Sequence, residues 1–169
     1  MAESQETASL QRRLERIEHH QAILELKHRY LRACDTKDVA GFRACFVDEG
    51  ADIVYGPMGR LDDADALADL YERVALRRDD GGYLILDMHH AVHPTIAFES
   101  PDAATGTWML RFRQIDRGQG TERTGAVEYA DRYVRRDGVW LIQRSHAREL
   151  WAITRPLPED HEIHQHIDG

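Results

Sequence analysis

The sequence predicts an α+β fold, with helices first and then an antiparallel sheet that the helices cover on one face. Three observations carry this. Leu10, Leu14, Ile17, Gln21, Leu24, His28 and Leu31 recur near the helical period, with two polar interruptions. From Tyr83 onward the period becomes that of strands, in runs punctuated by turn residues. Asp137-Gly138 between two such runs is a strong hairpin signal. A curved sheet under helices leaves a hollow between the layers.

Met1 to Ser9 is polar and aperiodic and is expected to be a disordered lead over 1–9. One long helix is predicted from Leu10 to Cys34, with Arg12, Arg13, Glu15, Arg16 and Glu18 on its polar face. Its first half is expected to run past the domain body, against a neighbouring subunit or into solvent. The helix breaks at Thr36-Lys37-Asp38, and Asp38 caps a short helix over Val39–Phe46. Ala51–Tyr55 reads as a strand closed by Gly56-Pro57. Asp62 and Asp63 open a third helix, Asp65–Leu76, with an apolar stripe of Leu67, Leu70, Tyr71 and Val74. After a charged loop come strand pieces at Tyr83–Val92, Thr95–Glu99, Thr105–Gln114, Gly125–Arg135 and Val139–Trp151. The domain is expected over 10–155, followed by a tail, 156–169, that carries His161, His164 and His166 and extends into solvent or around a neighbour.

A length of 169 residues suits one domain. The net charge of -8 argues against nucleic-acid partners and anionic membranes. No apolar run is long enough to span a bilayer, and no signal peptide is visible, so a cytoplasmic location is expected. Cys34 and Cys45 read as buried thiols, not as a disulfide.

Chemistry concentrates in two places. Tyr30 and Asp35 are polar groups near the apolar stripe of the first helix, and five positions turn a helix by about 140°. Both can border one cavity. The second place is Asp87-Met88-His89-His90-Ala91-Val92-His93-Pro94. His89 and His93 alternate onto one strand face, but no third ligand is at hand, so a metal is not expected. One pocket histidine acting as a general base fits better, because imidazole titrates near neutral pH. Asp35 can be the partner that orients it. A structural histidine is the alternative.

The Asp137-Gly138 turn sets a register. Tyr133 is expected to face Ile142, Asp131 to face Arg144, and Tyr129 to face His146, all on one side of the sheet. That aromatic side is assigned to the pocket. In the reverse assignment, Asp131–Arg144 would be a surface pair.

The ordered set Ile23-x-x-Leu26-x-x-x-Tyr30-x-x-x-x-Asp35, Tyr55, Met88-His89, Pro94-x-Ile96, Ala104-Thr105-Gly106-x-Trp108, Tyr129-x-Asp131-x-Tyr133 and Asp137-Gly138-x-Trp140-x-Ile142 resembles the SnoaL-like group. That group lies within the nuclear-transport-factor-2-like superfamily and includes scytalone dehydratase, bile-acid 7α-dehydratase and hexachlorocyclohexane dehydrochlorinase. The resemblance implies a cone-shaped α+β barrel, with a curved, mostly antiparallel sheet covered by a long N-terminal helix and two shorter ones. It implies a homo-oligomer, a trimer before a dimer. It matches His89, Asp35 and Tyr30 to catalytic positions and Tyr55 to substrate binding. Tyr129, Asp131, Arg144, His146, Trp108 and Phe112 complete the expected substrate-binding set. The dehydrochlorinase has a lysine where Tyr30 stands, so Tyr30 points to an oxygen-bearing substrate. Where the bile-acid enzyme is acidic this chain has Arg111 and Phe112, so the substrate need not be a steroid.

The expected function is a cofactor-independent lyase of dehydratase type, or an isomerase, acting on a small cyclic, polyketide-like or steroid-like carbonyl compound. The alternative is a non-catalytic ligand-binding or interaction module of the same fold, since fold alone does not fix function. A dioxygenase small subunit is a third class.

Overall fold

The computed structural model describes residues 2–167. Helix α1 spans Ala2–Thr36. At ~1.5 Å per residue it is about 50 Å long. The sequence predicts a disordered lead over 1–9, but the helix begins at Ala2, and only Met1 of that stretch lies outside the described residues. No glycine or proline interrupts Ala2 to Leu10, so the polar residues continue the helix they join. Leu10, Leu14 and Ile17 are all more than half exposed on this end.

The buried face of α1 is Ile23, Leu26, Lys27, Tyr30, Leu31 and Cys34. It is rotated from the predicted stripe. His28 is exposed, and the neighbouring Lys27 is fully buried. The helix ends in a Schellman turn: Asp38 N–H donates to Ala33 O at 2.9 Å and Lys37 N–H to Cys34 O at 3.4 Å. Lys37 takes the left-handed position with φ +64°, where glycine is the usual residue. Helix α2 (Val39–Arg43) is capped by Asp38, as predicted, through Gly41 N–H at 2.8 Å. Helix α3 (Ala64–Ala75) is capped by Asp63 through Ala66 N–H at 2.7 Å.

The strands are β1 (Asp52–Tyr55), β2 (Arg60–Leu61), β3 (Arg78–Asp79), β4 (Gly82–Tyr83), β5 (Ile85–Ser100), β6 (Ala103–Asp116), β7 (Thr121–Arg136) and β8 (Val139–Pro156). The main sheet has the order β2-β1-β8-β7-β6-β5, and β3-β4 form a separate pair. All neighbours are antiparallel except β1 and β8, which run parallel. The helices pack over one face of this curved, open sheet. Residues 85–100 form one strand, not the two pieces predicted, because a bulge at His93 (φ +53°) carries the chain through Pro94.

The Asp137-Gly138 hairpin pairs Arg136 with Val139 and Tyr133 with Ile142, as predicted. Beyond that the register slips. Arg132 opposes Arg144, Asp131 opposes Ser145 and Tyr129 opposes Ala147. Gln143 is the extra residue of a β-bulge. A slip of one residue turns the following β8 side chains to the opposite face, as far as a second bulge at Leu150. Tyr129, Asp131 and Tyr133 still point into the core, but Ser145 and Ala147 meet them in place of Arg144 and His146.

The tail returns to the domain. Leu157 N–H donates to Gly120 O, and the Gln165 amide takes both the N–H and the C=O of Tyr83 at 2.9 Å. The expectation was a tail extending into solvent or around a neighbour; Gln165 bonds the Tyr83 backbone of its own domain. Cys34 and Cys45 are buried free thiols.

Candidate active site

Between α1, α3 and the sheet lies a hollow with two chambers. The outer one has a volume of about 330 Å³ and the inner one about 170 Å³. Tyr55, Met58, His89, Phe112, Gln114 and Tyr129 border both, and Tyr30 borders the inner one.

His89 and Asp35 meet at the wall. His89 Nδ1 lies 2.6 Å from Asp35 Oδ1, and the His89 backbone N–H donates to Asp35 Oδ2 at 3.1 Å. Two bonds to one carboxylate fix both its distance and its angle. The His89 side chain is 14% exposed and that of Asp35 27%, so the pair is sheltered without being sealed. Asp35 borders a groove on the far side, between α1 and β5, so it backs His89 and does not line the hollow. With Nδ1 engaged, Nε2 has no protein partner among the described residues. Phe112 packs beside the imidazole, ring centroids 5.2 Å apart.

A second pair of contacts stands beside this one. Lys37 Nζ donates to Asp87 Oδ2 at 2.8 Å, and Gln114 Nε2 donates to Asp87 Oδ1 at 2.9 Å. Asp35 and Lys37 leave the end of α1 two residues apart, and their partners His89 and Asp87 lie two apart on one face of β5.

Behind the tyrosines is a buried polar network. Lys27 Nζ pairs with Asp131 Oδ2 at 2.8 Å, and both side chains are fully buried. Tyr133 OH donates to the same oxygen at 2.8 Å and accepts from Trp108 Nε1 at 2.8 Å. Ser145 donates to Asp131 Oδ1 at 2.8 Å, and Tyr55 OH donates to Ser145 Oγ at 3.2 Å. Tyr30 and Tyr55 hydroxyls are 2.7 Å apart. The Lys27 ammonium sits 3.6 Å from the centroid of the Tyr129 ring. Burial lowers the Lys27 pKa, with Asp131 opposing the shift. Burial likewise raises those of Tyr30, Tyr55, Tyr129 and Tyr133, so these phenols stay protonated at neutral pH.

A family model of the SnoaL-like domain matches residues 15–146. The chain belongs to the SnoaL-like family. No protein of the curated set matches this sequence. Among solved structures, this SnoaL-like chain is similar to hexachlorocyclohexane dehydrochlorinase LinA-type3 from Novosphingobium barchaimii, with 21% identity, TM-score 0.73, and 90% and 99% of the two chains covered. It is similar to a putative scytalone dehydratase from Novosphingobium aromaticivorans, with 19% identity, TM-score 0.71, and 88% and 98% covered. ActVI-ORFA from Streptomyces coelicolor follows at 18% identity and TM-score 0.64, with 79% and 98% covered. These likenesses establish the fold that the sequence predicted.

The SnoaL-like chain brings together His89, Asp35, Tyr30, Tyr55, Tyr129 and Phe112. Four predicted site residues fall elsewhere. Trp108 is buried behind the tyrosines and borders neither chamber. Asp131 is also out of reach of the hollow, and its partner is Lys27, not Arg144. Arg144 and His146 lie on the opposite face of β8 because of the Gln143 bulge, and His146 Nε2 meets Asp52 Oδ2 at 2.9 Å. Lys27, Lys37, Ser145 and Gln114 were not singled out from the sequence. Lys27 alone left a local sign, a lysine between Leu26 and Tyr30. Among the described residues no three His, Cys, Asp or Glu side chains cluster as metal ligands, and no helix is long and apolar enough to cross a membrane.

Proposed function

We propose that this SnoaL-like protein is a cofactor-independent lyase of dehydratase type on a small cyclic, polyketide-like or steroid-like carbonyl compound. Without a leaving group, the same machinery runs an isomerisation. The observation that carries this is the contact of His89 Nδ1 with Asp35 at the wall of a hollow between helices and sheet. Asp35 fixes the imidazole tautomer and offsets the charge the ring gains, which leaves Nε2 as the base.

In this reading Nε2 takes a proton from the carbon next to the substrate carbonyl. The electron pair moves onto the carbonyl oxygen as an enolate. Tyrosine hydroxyls of the cluster donate to that oxygen. As the enolate collapses, the bond from the β-carbon to the hydroxyl breaks. The His89 imidazolium returns its proton to the departing oxygen, and water leaves. In the isomerase variant the imidazolium delivers the proton to the γ-carbon.

The combined volume of about 500 Å³ falls within the range of small-molecule sites. LinA and scytalone dehydratase, similar in fold, bear names of elimination reactions. The protein is further proposed to work as a cytoplasmic homotrimer. Val92, Trp151 and Ile153, exposed by 41–60%, offer apolar surface for subunit contact.

The test is turnover of β-hydroxy carbonyl and β,γ-unsaturated carbonyl compounds, with a bound product located by crystallography. His89→Ala and Asp35→Asn proteins should lose turnover of any substrate found. If both turn it over as well as the parent, the acid–base reading is wrong. Binding without turnover by the parent favours the ligand-binding module.

A further inference from the structure

We propose that Tyr129, and not Tyr30 or Tyr55, gives the hydrogen bond to the substrate oxygen, because the buried Asp131 carboxylate dictates which way the other hydroxyls point. This rests on the enolate chemistry proposed above and assigns its donor.

A carboxylate paired with an ammonium has no proton to offer; it only accepts. Asp131 Oδ2 accepts from Lys27 Nζ and from Tyr133 OH, each at 2.8 Å. Ser145, 2.8 Å from Asp131 Oδ1, must therefore donate to it. A serine hydroxyl has one proton, so toward Tyr55 it can only accept, and Tyr55 donates to it at 3.2 Å. The Tyr55 proton is now committed, so the 2.7 Å contact with Tyr30 is a bond donated by Tyr30. The chain runs one way, from Tyr30 through Tyr55 and Ser145 to Asp131. Every proton along it points into the core, away from the hollow.

Tyr129 is the exception. Its hydroxyl takes no part in that chain of bonds. No downstream acceptor commits the Tyr129 proton to the chain. Tyr129 borders both chambers. Its ring is held between the Lys27 ammonium and the edge of Tyr55, whose ring centroid is 6.0 Å away. A substrate oxyanion is a strong acceptor, so it takes this uncommitted proton. Tyr30, with its proton turned inward, presents lone pairs. Beside the oxyanion the hollow therefore holds a hydrogen-bond acceptor, which suits a substrate carrying a hydroxyl next to the reacting carbonyl.

The arrangement can be reversed. In Ser145→Ala the link to Asp131 is cut, while Lys27 and Tyr133 still bond the carboxylate, so no buried charge is left alone. The Tyr55 proton is then free to turn toward Tyr30, and that of Tyr30 toward the hollow.

The probe is 4-nitrophenol, whose ionised form mimics an aromatic enolate and absorbs in the visible. The parent protein should bind the phenolate, and Tyr129→Phe should weaken it by about tenfold or more, the effect of losing one bond to an ion. Tyr30→Phe in the parent should cost less than Tyr129→Phe. In the Ser145→Ala background Tyr129→Phe should cost no more than about threefold, because Tyr30 takes over. Adding Tyr30→Phe there should restore the full loss. Lys27→Met with Asp131→Asn, which removes both charges together, should show the same rescue by a second route.

An equal loss from Tyr129→Phe in the parent and in both backgrounds overturns the inference. So does a Tyr30→Phe loss in the parent as large as that of Tyr129→Phe. In either case phenolate binding by the parent leaves the enolate reading standing. A parent protein that does not bind the phenolate overturns both.

Discussion

Lys37 and Asp87 form a buried ion pair, Nζ to Oδ2 2.8 Å, that runs alongside the contact between Asp35 and His89. The two contacts tie the end of α1 to β5 like adjacent rungs. Lys37 holds a left-handed backbone, φ +64°, that disfavours a side chain by roughly 1–2 kcal/mol. The ion pair offsets that strain. Lys37→Met keeps the strain and strands the Asp87 carboxylate, so it should destabilise the protein by about 3–5 kcal/mol. Lys37→Gly strands the same carboxylate but relieves the backbone, so it should be about 1 kcal/mol milder. Urea denaturation of the two variants checks the order, and a Lys37→Gly protein less stable than Lys37→Met would contradict it.

Asp35→Asn should separate tautomer control from packing. The amide nitrogen can donate where the carboxylate only accepted, so Nδ1 of His89 would become the acceptor and Nε2 would carry the proton. That is the wrong form for a base. Turnover should fall by about 10⁴-fold with the fold intact. Long-range proton–nitrogen NMR of His89 reads the tautomer without any substrate. An unchanged Nδ1–H signal in the variant would remove the physical basis of the expectation.

The α+β order, the Asp38 cap, the aspartates that open the third helix and the first steps of the hairpin were all written in short-range patterns, and the structure keeps them. Asp38 and Asp63 cap where they stand because a cap is a contact three residues long. The Gln143 bulge was not legible, because a bulge answers to the twist and curvature of the whole sheet, and no local residue type demands it. Its consequence was large, since it exchanged Arg144 and His146 for Ser145 and Ala147. Lys27 was missed for a related reason. A buried lysine makes sense only with its partner, and Asp131 lies 104 residues away. The meeting of His89 with Asp35 was open as a possibility from their chemistry and was matched by the pattern of a family; spacing did not give it, because 54 residues separate them.

The tyrosine cluster predicts a steep alkaline transition. Burial raises the pKa of Tyr30, Tyr55, Tyr129 and Tyr133 above the ordinary value of 10.0. The unfolded chain therefore gives up these protons first as pH rises. Stability from this source is complete below pH 10 and declines as pH climbs from there toward the folded values. Tyrosinate absorbance from these four residues should appear together with loss of the folded circular dichroism. Ionisation of all the tyrosines ahead of unfolding would show that the cluster is open to solvent.

On the acid side the group to watch is Glu122. Arg113 bonds its Oε1 at 2.6 Å, and Arg155 bonds its Oε2 through Nε and Nη2 at 2.9 and 2.7 Å. The Arg113 bond first, then those of Arg155, hold the carboxyl below the usual glutamate range. A depressed folded pKa means the unfolded chain takes up this proton first as pH falls. The contribution is therefore present above the unfolded value of 4.5 and is lost as pH drops through the folded one. Glu122→Gln removes this titration, so it should lower stability at pH 7 and flatten the dependence on pH below about 5, so that parent and variant converge in acid. Thermal unfolding of both proteins across that range reads the difference directly, and curves that stay parallel to the lowest pH would assign the acid sensitivity to other carboxylates.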